Sequence, residues 1–131
     1  MAFVVLDTTV VIDVLKDRPR TTERFLALRS RGDVPHVCAI TIEEVSAWLR
    51  PGERERAAEM FEGLSIAPLG MAEGRLAGWW RRRHRTSGRT LTQADALIAA
   101  AAAGIGARLA TGNVKDFPMR ELEVEHLPAG E

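Results

Sequence analysis

Apolar residues along this chain come in short runs that switch between two periods. Phe3, Val4, Val5 and Leu6 form a β-type run that stops at Asp7-Thr8-Thr9. Val10, Val11, Val14 and Leu15 then recur at helical spacing as far as Arg18-Pro19. Residues 21–31 are amphipathic, with Phe25, Leu26 and Leu28 on the apolar side and Gly32 as the stop. A second strand is predicted over 36–40, leading through Thr41-Ile42-Glu43-Glu44 into a helix carrying Val45, Trp48 and Leu49. Pro51-Gly52 breaks the chain before a helix over 53–64, and 65–69 reads as a third strand. The longest helix is expected over 72–85. Thr92 opens an alanine-rich helix that Gly104 and Gly106 end, and 108–110 and 123–127 supply two more strands. Short apolar strands alternating with helices imply βαβ units, hence an α/β domain in three layers with a short, mostly parallel sheet.

At 131 residues the length predicts a single domain, 1–131, with room for a proper core. Its 46% hydrophobic and 27% charged residues are the balance of a soluble globular protein. No apolar run approaches the roughly 20 residues that cross a bilayer, and no basic segment precedes an apolar one at the N-terminus. Cys38 is the sole cysteine, which excludes an intrachain disulfide and points to the reducing cytoplasm. Net charge is zero, so the overall field announces no polyanionic partner. The distribution is less even: Arg81, Arg82, Arg83, His84 and Arg85 form a basic run, with Arg75 and Arg89 nearby.

Four acids change the picture. Asp7 follows the first strand, Glu44 opens the helix after the second, Asp95 opens the alanine-rich helix, and Asp116 follows the fourth strand. Each has a plain structural explanation. Asp7 can be an N-cap, and Thr41-x-x-Glu44, Thr92-x-x-Asp95 and Asn113-x-x-Asp116 have capping-box spacing or close to it. Together they mean more, because a parallel sheet sends all four to the carboxyl edge of its strands, where open α/β sheets bind ligands. Two carboxylates about 4 Å apart repel by roughly 1 kcal/mol in water and about 4 at an effective dielectric of 20. A hard divalent cation relieves this repulsion, and an all-oxygen set without His or Cys favours Mg²⁺ or Mn²⁺ over Zn²⁺. Such an ion can activate water and stabilise charge on a phosphodiester.

The segments around these acids resemble a known family. Val5-Leu6-Asp7-Thr8-Thr9-Val10-Val11-Ile12-Asp13 is similar to the opening of PIN-domain proteins, in particular VapC-type toxins. Ala39-Ile40-Thr41-Ile42-Glu43-Glu44-Val45 resembles the second motif of that family. Asp95-Ala96-Leu97-Ile98-Ala99-Ala100 resembles the third, and the run from Leu109 through Thr111-Gly112-Asn113 to Asp116-Phe117 the fourth. The four come in family order and span nearly the whole chain. The resemblance implies a PIN-like fold and a Mg²⁺- or Mn²⁺-dependent endoribonuclease, the toxin of a toxin–antitoxin pair. By it, Asp7, Glu44, Asp95 and Asp116 are the catalytic, metal-binding acids, and Thr8, Thr111 and Asn113 are supporting polar groups. It further implies an RNA substrate, a VapB-type antitoxin and a homodimer.

Other signals are weaker. His36 and Cys38 lack metal-ligand spacing, so Cys38 is expected to be buried. Of Trp79 and Trp80, one is expected in the core and its neighbour half-exposed. Arg81, Arg82, Arg83 and Arg85 are candidate RNA contacts, or else a solvated helix face. Asp13 reads as an exposed helix residue. A phosphoacceptor receiver domain would want an acidic pair where Asp7-Thr8 stands and a Lys where Leu127-Pro128 stands. A non-enzymatic binding module remains if the acids are only caps.

Overall fold

The structure, a computed structural model, describes residues 1–128. Its centre is β1 (Phe3–Leu6), flanked by β2 (Val34–Val37) and β4 (Arg108–Thr111). Outside these lie β3 (Ser65–Ile66) and β5 (Val124–His126), giving the order β3-β2-β1-β4-β5. Every neighbouring pair is parallel, so each connection is a crossover. The helices of the described residues are α1 (Thr8–Leu15), α2 (Pro19–Ser30), α3 (Ala39–Ala47), α4 (Arg54–Glu62), α5 (Met71–Thr86) and α6 (Gln93–Gly104).

Side-chain alternation along the central strands builds the three layers. Val4 and Leu6 of β1 point into a core shared with Val10 and Val11 of α1, Phe25 and Leu28 of α2, and Val45 of α3. Val5 points to the other face and packs with Trp80 of α5 and Ile98 of α6. β4 divides likewise: Leu109 joins the α5–α6 core and Ala110 the α1–α3 core. α6 buries six of its residues, five of them alanines, and small side chains let a helix lie close against strands. Thr21, Phe25 and Leu28 of α2 and Ala57 of α4 face inward, so the apolar sides of those two helices are largely spent on the core.

Three boundaries differ from the sequence pattern. β2 covers 34–37 rather than 36–40, and α3 already begins at Ala39. Pro35 masks the true strand start, whereas the alternation of His36, Cys38 and Ile40 imitates a longer strand. Cys38 is buried and is the N-cap of α3. β3 pairs over two residues, and beyond Ala67 the chain meets Pro68, which has no N–H for a ladder. Pro19 opens α2 at its first turn, a position that suits its fixed φ. Asp13 is half-buried rather than exposed. It accepts from Thr21 Oγ1 at 3.1 Å and pairs with Arg18, clasping α1 to α2.

Candidate active site

From β1 the chain moves outward through β2 to β3 on one side, then returns by α5 and α6 to β4 on the other. The connections therefore part between β1 and β4. A crevice opens at the carboxyl ends of such diverging strands, and Asp7 and Thr111 stand there.

Asp7 is held by short bonds. Its Oδ1 accepts from the Thr8 N–H at 2.7 Å, the expected capping bond for α1. Its Oδ2 accepts from Thr9 Oγ1 at 3.0 Å and from Thr111 Oγ1 at 2.7 Å. Thr111 in turn accepts from the Asn113 N–H at 3.0 Å, and the Asp7 N–H donates to the Ala110 carbonyl at 2.9 Å. Gly112 passes so near Thr9 that its N–H donates to Thr9 Oγ1 at 3.0 Å, and a Cβ there would sit 3.4 Å from that oxygen. Asp7 is only 4% exposed. Burial raises its pKa, the Glu44 charge adds to that, and the hydroxyl and amide donors oppose both.

Glu44 comes to the same edge from α3. Thr41 is the third residue of that helix and Glu44 the sixth, so the two form no capping box. Thr8 Oγ1 lies 2.7 Å from Glu44 Oε1 and 3.1 Å from Thr41 Oγ1. With one proton to give, Thr8 donates to the carboxylate and accepts from the buried Thr41 hydroxyl. Glu43 is exposed. Asp95 lies in the first turn of α6, where Thr92 caps its N–H at 3.1 Å as expected. Desolvation, opposed by the Thr92 hydroxyl, lifts its pKa to about 6, and the charges of Asp7, Asp116 and Glu44 push the same way. Asp116 ends a 3₁₀ turn, and its Asn113 cap position makes no side-chain capping bond. Asp95 thus feels the charges of the other three acids and Asp7 that of Glu44, and among the four only the Asp7 carboxylate makes a capping bond.

The donors are carboxylate and hydroxyl oxygens, and the carboxylates carry uncompensated repulsion, which suits a hard divalent ion. Asp7, Glu44, Asp95 and Asp116 are the side chains that could hold it. Among the described residues no three of His, Cys, Asp and Glu are already arranged as an ion-binding cluster. Asp95 is partly exposed and Asp116 exposed.

Asp95 and Asp116 line a cleft of about 290 Å³ that also carries Arg89, Thr90, Thr92 and Lys115. Asn113 faces a neighbouring cleft of about 310 Å³ with Lys115 and His126. The basic run of α5 stands apart from the acids. Arg81 Nε donates to the Leu91 carbonyl at 3.2 Å, and Arg83 makes a two-pronged pair with Glu121 at 2.6 and 2.7 Å. Arg82 lies in a groove with Trp79 and Thr86, and Arg85 is exposed. Trp80 is 1% exposed and Trp79 61%, the expected split. Sequence reasoning missed Thr9 and Lys115 at this edge. A hydroxyl two residues past an N-cap Asp was a usable signal for Thr9; Lys115 had none, being one exposed lysine among many cations.

The family model described as PIN domain matches residues 4–118. The chain belongs to the PIN-domain family. Ribonuclease VapC19 of Mycobacterium tuberculosis is 30% identical over 114 residues, covering 87% of this chain and 91% of that protein. Among solved structures, VapBC2 from Rickettsia felis, bound to a DNA fragment from its promoter, matches with TM-score 0.80. It is 21% identical and covers 95% of this chain and 98% of its own. VapBC-1 from nontypeable Haemophilus influenzae matches at TM-score 0.77 and 22% identity, over 95% and 98% of the two chains. These structural likenesses establish the three-layer PIN fold. Within it, the switch point beside β1 is the edge to which this PIN domain brings its four acids. No helix of the described residues is long and apolar enough to cross a membrane.

Proposed function

We propose that this PIN domain is an endoribonuclease that acts in the cytoplasm as the toxin of a toxin–antitoxin pair. The observation that carries the reading is the convergence of Asp7, Glu44, Asp95 and Asp116 at the switch point of a fold shared with a ribonuclease at 30% identity. PIN-domain ribonucleases generally use a divalent metal. Here the oxygen-only donors favour Mg²⁺ or Mn²⁺. Such an ion supplies activation of water and neutralisation of charge on the scissile phosphodiester.

The chain's own groups set the geometry. The Thr9 and Thr111 hydroxyls and the Thr8 N–H fix both Asp7 oxygens, so this carboxylate has one orientation toward the crevice. Thr8 orients Glu44, and the Thr92 cap holds the first turn of α6 so that Asp95 faces the same space. Asp116 lies across the cleft from α6, on the turn after β4. The Thr8, Thr9 and Thr111 hydroxyls are engaged with carboxylates, and this reading assigns the attack on phosphorus to water, with no covalent enzyme intermediate.

The antitoxin partner is a VapB-type protein, as in the VapBC complexes of the same fold, and the proposal includes a toxin homodimer. A receiver domain is disfavoured because Thr8 follows Asp7 and the carboxylates are bound to hydroxyls rather than to a lysine. The test is RNA cleavage by purified protein. Activity should stop with EDTA, return with Mn²⁺ or Mg²⁺, and be lost in a folded Asp95→Asn variant. Full activity in that variant, from a highly purified preparation, would exclude the assignment.

A further inference from the structure

We infer that Arg89 and Lys115 form a phosphate-binding pair that holds the RNA backbone beside the acidic edge. The inference rests on the ribonuclease reading and names the part of the substrate that this cleft grips. Both side chains line the cleft that contains Asp95 and Asp116. Arg89 Nη2 donates to the Lys115 carbonyl at 2.8 Å, which ties the segment between α5 and α6 to the turn after β4. Two cations 26 residues apart in sequence are thereby brought to one opening, the Arg89 side chain anchored on the Lys115 backbone.

Among the described residues neither cation is neutralised by a carboxylate. No ion pair of the described residues includes Arg89 or Lys115, even with two carboxylates in the same cleft. The charges acting on Asp95 are instead those of Asp7, Asp116 and Glu44. By contrast, Arg83 is paired with Glu121, and Arg108 with Asp33 and Glu125. A guanidinium fork and a mobile ammonium are the groups that bind phosphate oxygens. A polyanion approaching four carboxylates needs local positive charge, and these two residues supply it at the cleft rather than along α5.

The test is binding of a short 5′-labelled single-stranded RNA in EDTA, followed by anisotropy over a range of KCl concentrations. Lys115→Gln is the cleaner variant, since the backbone carbonyl that anchors Arg89 remains. It should weaken binding roughly tenfold at low salt and flatten the log–log salt slope by about 0.7, the value of one phosphate contact on a single strand. The double variant with Arg89→Gln should flatten it by about 1.4. Lys115→Arg should retain the wild-type slope, and in the presence of Mn²⁺ Lys115→Gln should raise KM more than it lowers kcat. A folded Lys115→Gln protein with unchanged slope and affinity, beside a wild type that binds and cuts RNA, overturns this inference alone. A wild type that neither binds nor cuts RNA overturns the ribonuclease reading and this one with it.

Discussion

Replacing Asp95 by Asn should destroy activity and at the same time make the metal-free protein more stable at neutral pH. Folding raises the Asp95 pKa from 3.8 to about 6, chiefly through desolvation, with three neighbouring carboxylates adding to it. At about 1.4 kcal/mol per pKa unit, the ceiling on the resulting strain is about 3 kcal/mol. Asp95 is only partly buried, and solvent and salt screen much of this, which leaves about 1 kcal/mol. Because the folded pKa lies above the unfolded one, the folded state keeps a proton that the unfolded state has released between pH 3.8 and about 6. Stability is therefore intact below pH 3.8 and is lost as pH rises through about 6. Asn mimics the neutral acid and escapes that loss. Thermal melts in EDTA across pH should coincide below pH 3.8, separate progressively up to about pH 6 and stay apart above it, with the variant melting roughly 3–5 °C higher at neutral pH. Mg²⁺ or Mn²⁺ should stabilise the wild type more than the variant and narrow the gap. A variant no more stable than wild type at neutral pH would refute the argument from carboxylate repulsion.

Thr111→Val removes the donor to Asp7 Oδ2 and the acceptor of the Asn113 N–H, and should cost about 1–3 kcal/mol. It should also move the acidic limb of the pH–rate profile upward, because Asp7 loses the strongest of the hydrogen bonds that hold its pKa down; an unmoved limb would contradict the role given to Thr111. Trp80→Ala should cost about 3–5 kcal/mol by thermal unfolding, against less than about 0.5 for Trp79→Ala, since only Trp80 is enclosed. Asp33, held down to about 2 by Arg31 and Arg108, contributes stability that is present above its unfolded pKa and lost as pH falls through about 2. Asp33→Asn should therefore melt below wild type at neutral pH, and the difference should close in strong acid.

Periodicity located every strand and helix because the apolar residues of this chain serve two cores on opposite faces of one sheet. The errors fall where local chemistry competed with pattern. Pro35 sits in a strand that a proline argues against, and Ile40 lies in the first turn of a helix although it extends an alternating run. The four acids were visible because each stands just past a strand or at a helix start, and parallel order carries those places to one edge. Their partners were less legible. The Thr111–Asp7 bond spans 104 residues, and the link between Arg89 and Lys115 depends on how two loops meet. No spacing rule reports such contacts. The arginine run shows the same limit: charge density along a helix is visible in sequence, whereas engagement of Arg83 by Glu121 comes from the fold.

The central claim, that the acids beside β1 cut RNA, is tested most directly by mapping new RNA 5′ ends after induced expression of the wild-type protein and of Asp7→Asn. Asp7 is the right position, being buried, fully bonded and at the switch point. The account predicts discrete new 5′ ends and growth arrest with the wild type, and neither with a folded Asp7→Asn protein made in equal amount. The same ends and the same arrest from Asp7→Asn would contradict it.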